Sequence, residues 1–374
     1  MTSLTPGETR RGGPVRAAAR HELHGWGGTA VDRGNGGGAL SHTVLPAALR
    51  AALDADIARL DARQVTLAAR ALIDAYRATP ERPSRPQAIA PDAWRAAYLE
   101  MRVPATHAAI AYVGDELARW IDPGAIGSLL DLGAGPGTAL HALAPMLPAL
   151  THATLVDRDD DLLDIAERLA RALDGAAAVS TEQRDLADTA RPAPADLVVM
   201  AYALGEVTPR DRPRAIERAW LNARHAFVIV EPGTMHGVER ILMARALLAS
   251  RGAHIVAPCP HASACPMRPP DWCHVSVRVE RTRRMRQIKH ADLGYEDEAI
   301  AYLIATVAPP SPAAVPPRIV ARPRVTKGLV TLPVCTPTGL ATLNVTKRDA
   351  AWRAARHARW GAPWVPDAAS SLDE

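Results

Sequence analysis

LLDLGAGPG, residues 129–137, decides the fold. An apolar run beginning at Ser128 carries an acid, Asp131, near its end. Glycines follow at 133, 135 and 137, and residues 138–150 then have helical spacing. Strand, glycine turn and helix open a βα unit, and the glycines let backbone approach a ligand closely at the turn. The spacing is G-x-G-x-G, not the G-x-G-x-x-G of dinucleotide sites.

The same alternation continues outward. THATLVDRD holds a second strand, 160–173 a helix, 177–184 a third strand and DLVVMAYAL a fourth. Residues 209–223 read as helix, HAFVIVEPG as a fifth strand and 238–250 as helix. This predicts an α/β protein with a parallel sheet covered by helices on both faces. AHIVAPCPH reads as a sixth strand and CHVSVRVER as a seventh, around a proline-rich stretch without pattern at 260–271. Residues 296–306 read as helix. ARPRVTKGLVTLPVCTPTGLATLNVT reads as a small antiparallel meander turning at Thr338-Gly339, and 350–360 as a short basic helix. Upstream, residues 43–77 and 92–120 have helical periodicity, the second interrupted near Val103-Pro104, with a proline-rich linker at 80–91.

The chain has 374 residues and is 48% hydrophobic, enough for two or three domains with a real core. The expected organisation is a flexible tail (1–40), an N-terminal helical region (41–122), a sheet domain with a cysteine-rich insertion (123–285), a C-terminal β-rich lobe (286–364) and a second tail (365–374). No run of eighteen apolar residues occurs, so no membrane span is expected. The N-terminus lacks a secretory core, and Glu8, Glu22 and Asp32 interrupt its arginine-rich composition. A cytoplasmic location is expected. The net charge of +4 is mild, but positive charge is concentrated in RRMRQIK (283–289) and RIVARPRVTK (318–327). Arginine suits bidentate phosphate contacts; a solvated basic face is the alternative.

The acid-glycine loop resembles the first motif of class I S-adenosylmethionine methyltransferases. The resemblance implies a Rossmann-like fold in which Asp131, Gly133, Gly135 and Gly137 wrap the methionine part of S-adenosylmethionine. Asp157, ending the second strand, stands where an acid grips the ribose. Asp185, after the third, stands where the adenine amine is met. Each of the last two is also placed to cap a helix.

The only cysteines are Cys259, Cys265, Cys273 and Cys335, the first three spaced C-x5-C-x7-C. Four thiolates suit a [4Fe–4S] cluster or a structural zinc. Zinc sites commonly use C-x2-4-C pairs, which are missing here; buried unliganded cysteines are the third reading. His261 and His274 flank the set.

YLEMRVPATHAA (98–109), LLDLGAGPGTAL (129–140), VEPGTMHG (230–237), the cysteines, KGLVTLPVCTPTG (327–339) and ARWGAPW (358–364) together resemble the Rsm-type small-subunit ribosomal methyltransferase-like family of bacteria and mitochondria. That resemblance implies a [4Fe–4S] cluster on the four cysteines and partnership with the small ribosomal subunit and its rRNA, with a monomer off the ribosome. One departure stands out: Leu204-Gly205-Glu206 replaces a Leu-Asn-Glu string after the fourth strand. Two functions therefore stay open, an rRNA methyltransferase and a non-catalytic assembly or translation factor.

Overall fold

The computed structural model describes residues 44–78, 85–173, 175, 177–188, 192–311 and 315–366. The tail expected at 1–40, most of the tail at 365–374 and the first half of the proline-rich linker lie outside the described residues.

The helical periodicity at 43–77 resolves into two helices, α1 (Ala47–Ile57) and α2 (Ala62–Ala78). Asp61 separates them by accepting the backbone N–H groups of Arg63 and Gln64 at 2.8 and 3.0 Å, which starts α2. Next comes α3 (Pro91–Leu117), whose 27 residues make a rod of roughly 40 Å. The interruption expected near Val103-Pro104 does not occur. Pro104 forfeits one backbone bond, but alanines at 105, 108, 109 and 111 are buried around it, and that packing carries the helix through.

The sheet domain runs β1 (Ser128–Leu132), α4 (Thr138–Leu143), β2 (His152–Asp157), α5 (Asp160–Ala170), β3 (Ala178–Gln183), β4 (Ala195–Ala201), α6 (Arg212–Asn222), β5 (Ala223–Pro232), α7 (Met235–Ser250), β6 (His254–Ala257), β7 (Val275–Glu280), α8 (Arg283–Lys289) and β8 (Tyr295–Thr306). The strand order is β3-β2-β1-β4-β5-β8-β6, with β7 also paired to β8. Strands β1 to β5 are parallel. β8 is antiparallel to β5, β6 and β7. This is the class I methyltransferase arrangement, a doubly wound sheet with one reversed strand.

Two expectations are corrected here. The helix expected over 296–306 is β8, and through it the sheet is mixed rather than parallel. Residues 300–306 are buried throughout, and a strand covered on both faces shows an unbroken apolar run instead of alternation. Leu129, Val199, Val228 and Ile304 face α3 and α4 in one core cluster; Leu130, Val198, Phe227 and Leu303 face α6 and α7 in the other.

A second sheet follows, built from β9 (Arg318–Ile319), β10 (Arg324–Thr326), β11 (Leu329–Thr336) and β12 (Gly339–Thr346). The meander is as expected, with its turn one residue earlier, at Pro337-Thr338, because Thr336 pairs with Gly339. Val330, Leu332, Val334 and Val345 form its inner face, against which α9 (Trp352–His357) buries Ala355.

Candidate functional site

The glycine loop is held by its neighbours on β2. Gly133 N and Ala134 N both donate to Val156 O, at 2.8 and 3.0 Å. Gly135 N donates to Asp157 Oδ2 at 2.8 Å, and Asp159 N to Asp157 Oδ1 at 2.9 Å. All three glycines have positive φ, at 78°, 51° and 76°, the conformation that disfavours side chains. They differ in what surrounds them. A Cβ on Gly133 would stand 2.5 Å from Ala203 Cβ and one on Gly137 3.2 Å from Ala166 Cβ, whereas Gly135 has only the Tyr98 hydroxyl, at 3.9 Å. Gly133 and Gly137 serve packing; Gly135 faces open space.

That space is a cavity of about 410 Å³, within the usual range for small-molecule sites. Asp131, Gly133, Gly135, Asp157 and Asp185 line it, so the structure brings five of the six expected residues together. Gly137 stands behind the loop. The capping alternative fails for Asp157, because Asp159 is the residue that accepts Leu162 N and starts α5. Asp185 accepts Ala187 N at 2.8 Å in a turn, and among the described residues no helix follows before β4.

Asp131 is 1% exposed, and its Oδ2 has no hydrogen-bond partner. Burial, reinforced by the nearby Asp157, pushes its carboxyl up to about 8. A buried carboxyl with a vacant acceptor beside a cavity fits a ligand that brings a cation or N–H donor.

The opposite wall was not legible as a site in the sequence. Tyr76, Trp94 and Tyr98 come from α2 and α3, and Tyr202 from the end of β4. Arg102 lies between Tyr76 and Tyr202, 5.3 Å from each ring centroid, with Glu298 3.4 Å away. Tyr202 has φ of 58°, a strained conformation for a bulky residue and one that clusters at functional sites. Glu206 is tied to Arg158 at 3.1 Å. Glu231, of the VEPG string, accepts Leu204 N at 3.1 Å and binds Arg240 at 2.7 Å, fully buried. It holds the β4 and β5 ends together.

The four cysteines line a second cavity. Three come from the loop between β6 and β7 and the fourth from β11. Trp272 Nε1 donates to Gly233 O at 2.8 Å and pins that loop to the VEPG turn. His261 Nε2 lies 3.5 Å from Cys335 Sγ, while His274 packs edge-on against Trp360. Burial and mutual repulsion push the Cys273 thiol up to about 12, and chiefly burial pushes Cys335 to about 11. Among the described residues, no three His, Cys, Asp or Glu side chains converge closely enough to hold one metal ion.

Two buried arginines complete this cavity's surroundings. Arg245 Nη2 donates to His261 O and Ser263 O, both at 2.5 Å. Arg318 Nε donates to Pro258 O at 3.1 Å, and Nη1 to Glu116 Oε2 at 2.7 Å and to Gly361 O at 2.9 Å. Arg245 Nε and Arg318 Nη2 are buried without a partner.

The family model described as mitochondrial small ribosomal subunit Rsm22 matches residues 93–365. A curated relative, the human mitochondrial ribosome assembly protein METTL17, is 29% identical over 157 residues, covering 37% of this chain and 34% of the relative. The match thus spans about a third of that relative's length. Among solved structures, the magnesium protoporphyrin IX methyltransferase of Synechocystis PCC 6803 with bound SAM has 15% identity and a TM-score of 0.37, covering 56% of this chain and 82% of its own. A putative RNA methyltransferase of Pyrococcus horikoshii has 13% identity and a TM-score of 0.35, covering 54% and 84%.

Proposed function

Since the chain belongs to the Rsm22 family, we propose that it acts on the small ribosomal subunit as an S-adenosylmethionine-binding, iron–sulfur protein that methylates the subunit's rRNA. The observation that carries this reading is the open cavity beside Gly135, walled on one side by acids and on the other by aromatic rings. S-adenosylmethionine would supply an activated methyl group; the chain's part is to orient the partners and exclude water. Asp131 would receive the methionine end's positive charge, and Gly135 would let backbone lie against it. Asp157, which accepts from Gly135 N and Asp159 N, would meet the ribose hydroxyls. Asp185 would meet the adenine.

The four cysteines would hold a [4Fe–4S] cluster. Structural zinc sites commonly use C-x2-4-C pairs, which C-x5-C-x7-C does not provide, whereas cysteine spacings at cubane clusters vary more widely; zinc is the alternative. The unpartnered N–H groups of Arg245 and Arg318 fit an anionic four-thiolate group. The cluster would join β11 to the β6–β7 loop.

A specific observation favours a second reading, an assembly factor without methyl transfer: Glu206, the carboxylate after β4, is engaged by Arg158. Among the described residues no helix is long and apolar enough to cross a membrane. We keep the cytoplasm as the proposed location, with mitochondria the alternative raised by the relatives' names.

A mass-spectrometric map of methylated nucleotides in small-subunit rRNA, with and without the gene, separates the two functions. The expected result is a methyl group that disappears, returning with the wild type and not with Gly135→Arg. An unchanged map beside a small-subunit assembly defect would replace methyl transfer by the assembly reading.

A further inference from the structure

We propose that the outer, basic side of the C-terminal lobe binds the sugar–phosphate backbone of RNA through Arg324, Lys327, Lys347, Arg348, Arg353 and Arg356. This rests on the reading above that the partner is rRNA, and it assigns the surface that meets it.

Of the two basic strings of the sequence, only the end of the second, with Arg324 and Lys327, belongs to this surface, and tertiary structure removes much of the charge of the rest. In α8, Arg284 lies 3.4 Å from Glu100 and Lys289 2.5 Å from Glu296, while Met285 and Ile288 are buried. Arg318, which opens the second string, is 2% exposed.

What remains is concentrated in the lobe. Residues 320–366 hold eight Lys and Arg and a single acid, Asp349. That excess is larger than the +4 of the whole chain, so everything else is net acidic. Asp349 itself accepts Thr346 N and Oγ1 at 2.6 and 2.8 Å, a local cap.

Fold geometry gathers these charges. Lys347 N donates to Gly328 O at 3.3 Å, so the β10–β11 turn with Lys327 and the end of β12 with Lys347 and Arg348 form one corner. Helix α9 begins just beyond and leaves Arg353 and Arg356 exposed while Ala355 goes inward. On the sheet, Arg324, Thr331 and Asn344 stand in one row across three strands. Strands β10 to β12 contain no acid and no aromatic ring.

An arginine-rich composition alone would not produce this pattern. Elsewhere on the surface several arginines face acids, among them Arg158 with Glu206, Arg278 with Asp297 and Arg251 with Glu217, and those unpaired among the described residues, such as Arg283 and Arg286, do not stand in a stretch with a single acid. Among the described residues, Lys327, Lys347, Arg348 and Arg356 form no ion pair. An uncompensated field of one sign attracts a polyanion. Without rings to stack bases, recognition is by phosphate contact, independent of sequence and sensitive to salt.

The test is fluorescence anisotropy of the full-length holoprotein with unstructured 20-nucleotide RNAs of different composition, together with co-sedimentation with purified small subunits. The K327E/K347E/R348E/R356E variant is expected to bind at least about tenfold more weakly at 0.1 M salt, with a salt slope smaller by about 3 and unchanged melting and iron content. K327A/K347A gives a smaller loss in the same direction and serves if the fourfold variant misfolds. R283Q/R286Q, on α8, is expected to change little. Wild-type binding that the lobe variants leave intact, or that the α8 variant abolishes, would overturn this surface and leave the rRNA reading standing. A wild type that binds neither RNA nor subunit would overturn both. Tighter binding of polyglutamate than of RNA would assign the face to an acidic protein instead.

Discussion

Arg318 Nη1 lies 2.7 Å from Glu116 Oε2, an ion pair with both side chains nearly inaccessible and 202 positions apart in the chain. It joins the end of α3 to the strand directly opposite Cys335, since Arg318 and Cys335 are register partners. Tyr98, on the same helix, reaches the glycine loop. One rod therefore lines the glycine-loop cavity and, through Arg318, is tied to the wall of the cysteine cavity.

Removing one partner of that pair leaves a buried charge uncompensated, which costs about 3–5 kcal/mol. Glu116→Gln should lower stability by that order. Arg318→Gln should do so as well, with loss of its bonds to Pro258 and Gly361. Chemical denaturation of both single variants and the double variant checks this. Additive losses would mean the pair is not coupled.

Cys273→Ser should lower iron content and melting temperature together, because a cubane needs its ligands and the proposed cluster would tie two sheets together. Iron analysis and thermal unfolding decide it. Wild-type iron in the variant would sink the cluster assignment.

The loop glycines should separate by function. Gly133→Ala should destabilise the fold, since its Cβ meets Ala203 at 2.5 Å and its φ is 78°; the left-handed backbone alone costs roughly 1–2 kcal/mol. Gly135→Arg should keep the fold better, there being open space, and abolish S-adenosylmethionine binding. Melting curves and calorimetry read the two effects. Normal binding by Gly135→Arg would show that the site is misplaced.

Asp131 makes stability depend on pH in an unusual direction for a carboxylate. Its folded-state value, about 8, lies above its ordinary 3.8, so between those limits the folded protein holds a proton that the unfolded chain has released. Stability of the ligand-free protein should fall as pH rises from 4 to 8, by at most roughly 1.4 kcal/mol per unit, and level off above. Asp131→Asn should remove that slope. Denaturation midpoints at pH 5, 6, 7 and 8 test it; parallel curves for the two proteins would exclude the buried acid as the cause.

The sheet's first five strands, the glycine loop and its acids were legible in the sequence because their signals are local. Glycine marks a turn wherever positive φ is required, and alternating strand and helix patterns span only tens of residues. β8 was not legible. Its run AIAYLIAT is apolar on every face, and whether such a run becomes helix or strand depends on the free edges of β5 and β6 that receive it. The aromatic wall was hidden for a similar reason: Tyr76, Trp94 and Tyr98 look like ordinary core positions until α2 and α3 are laid across the loop. By itself the sequence determined which residues have the chemistry for a cofactor loop and a four-thiolate site. Tertiary structure alone decided which charges are spent inside. Arg318 sits in a string that reads as a basic surface, yet a guanidinium can be buried where a carboxylate and two carbonyls meet it. Glu116 is supplied by a helix 202 positions away, beyond the reach of any local pattern.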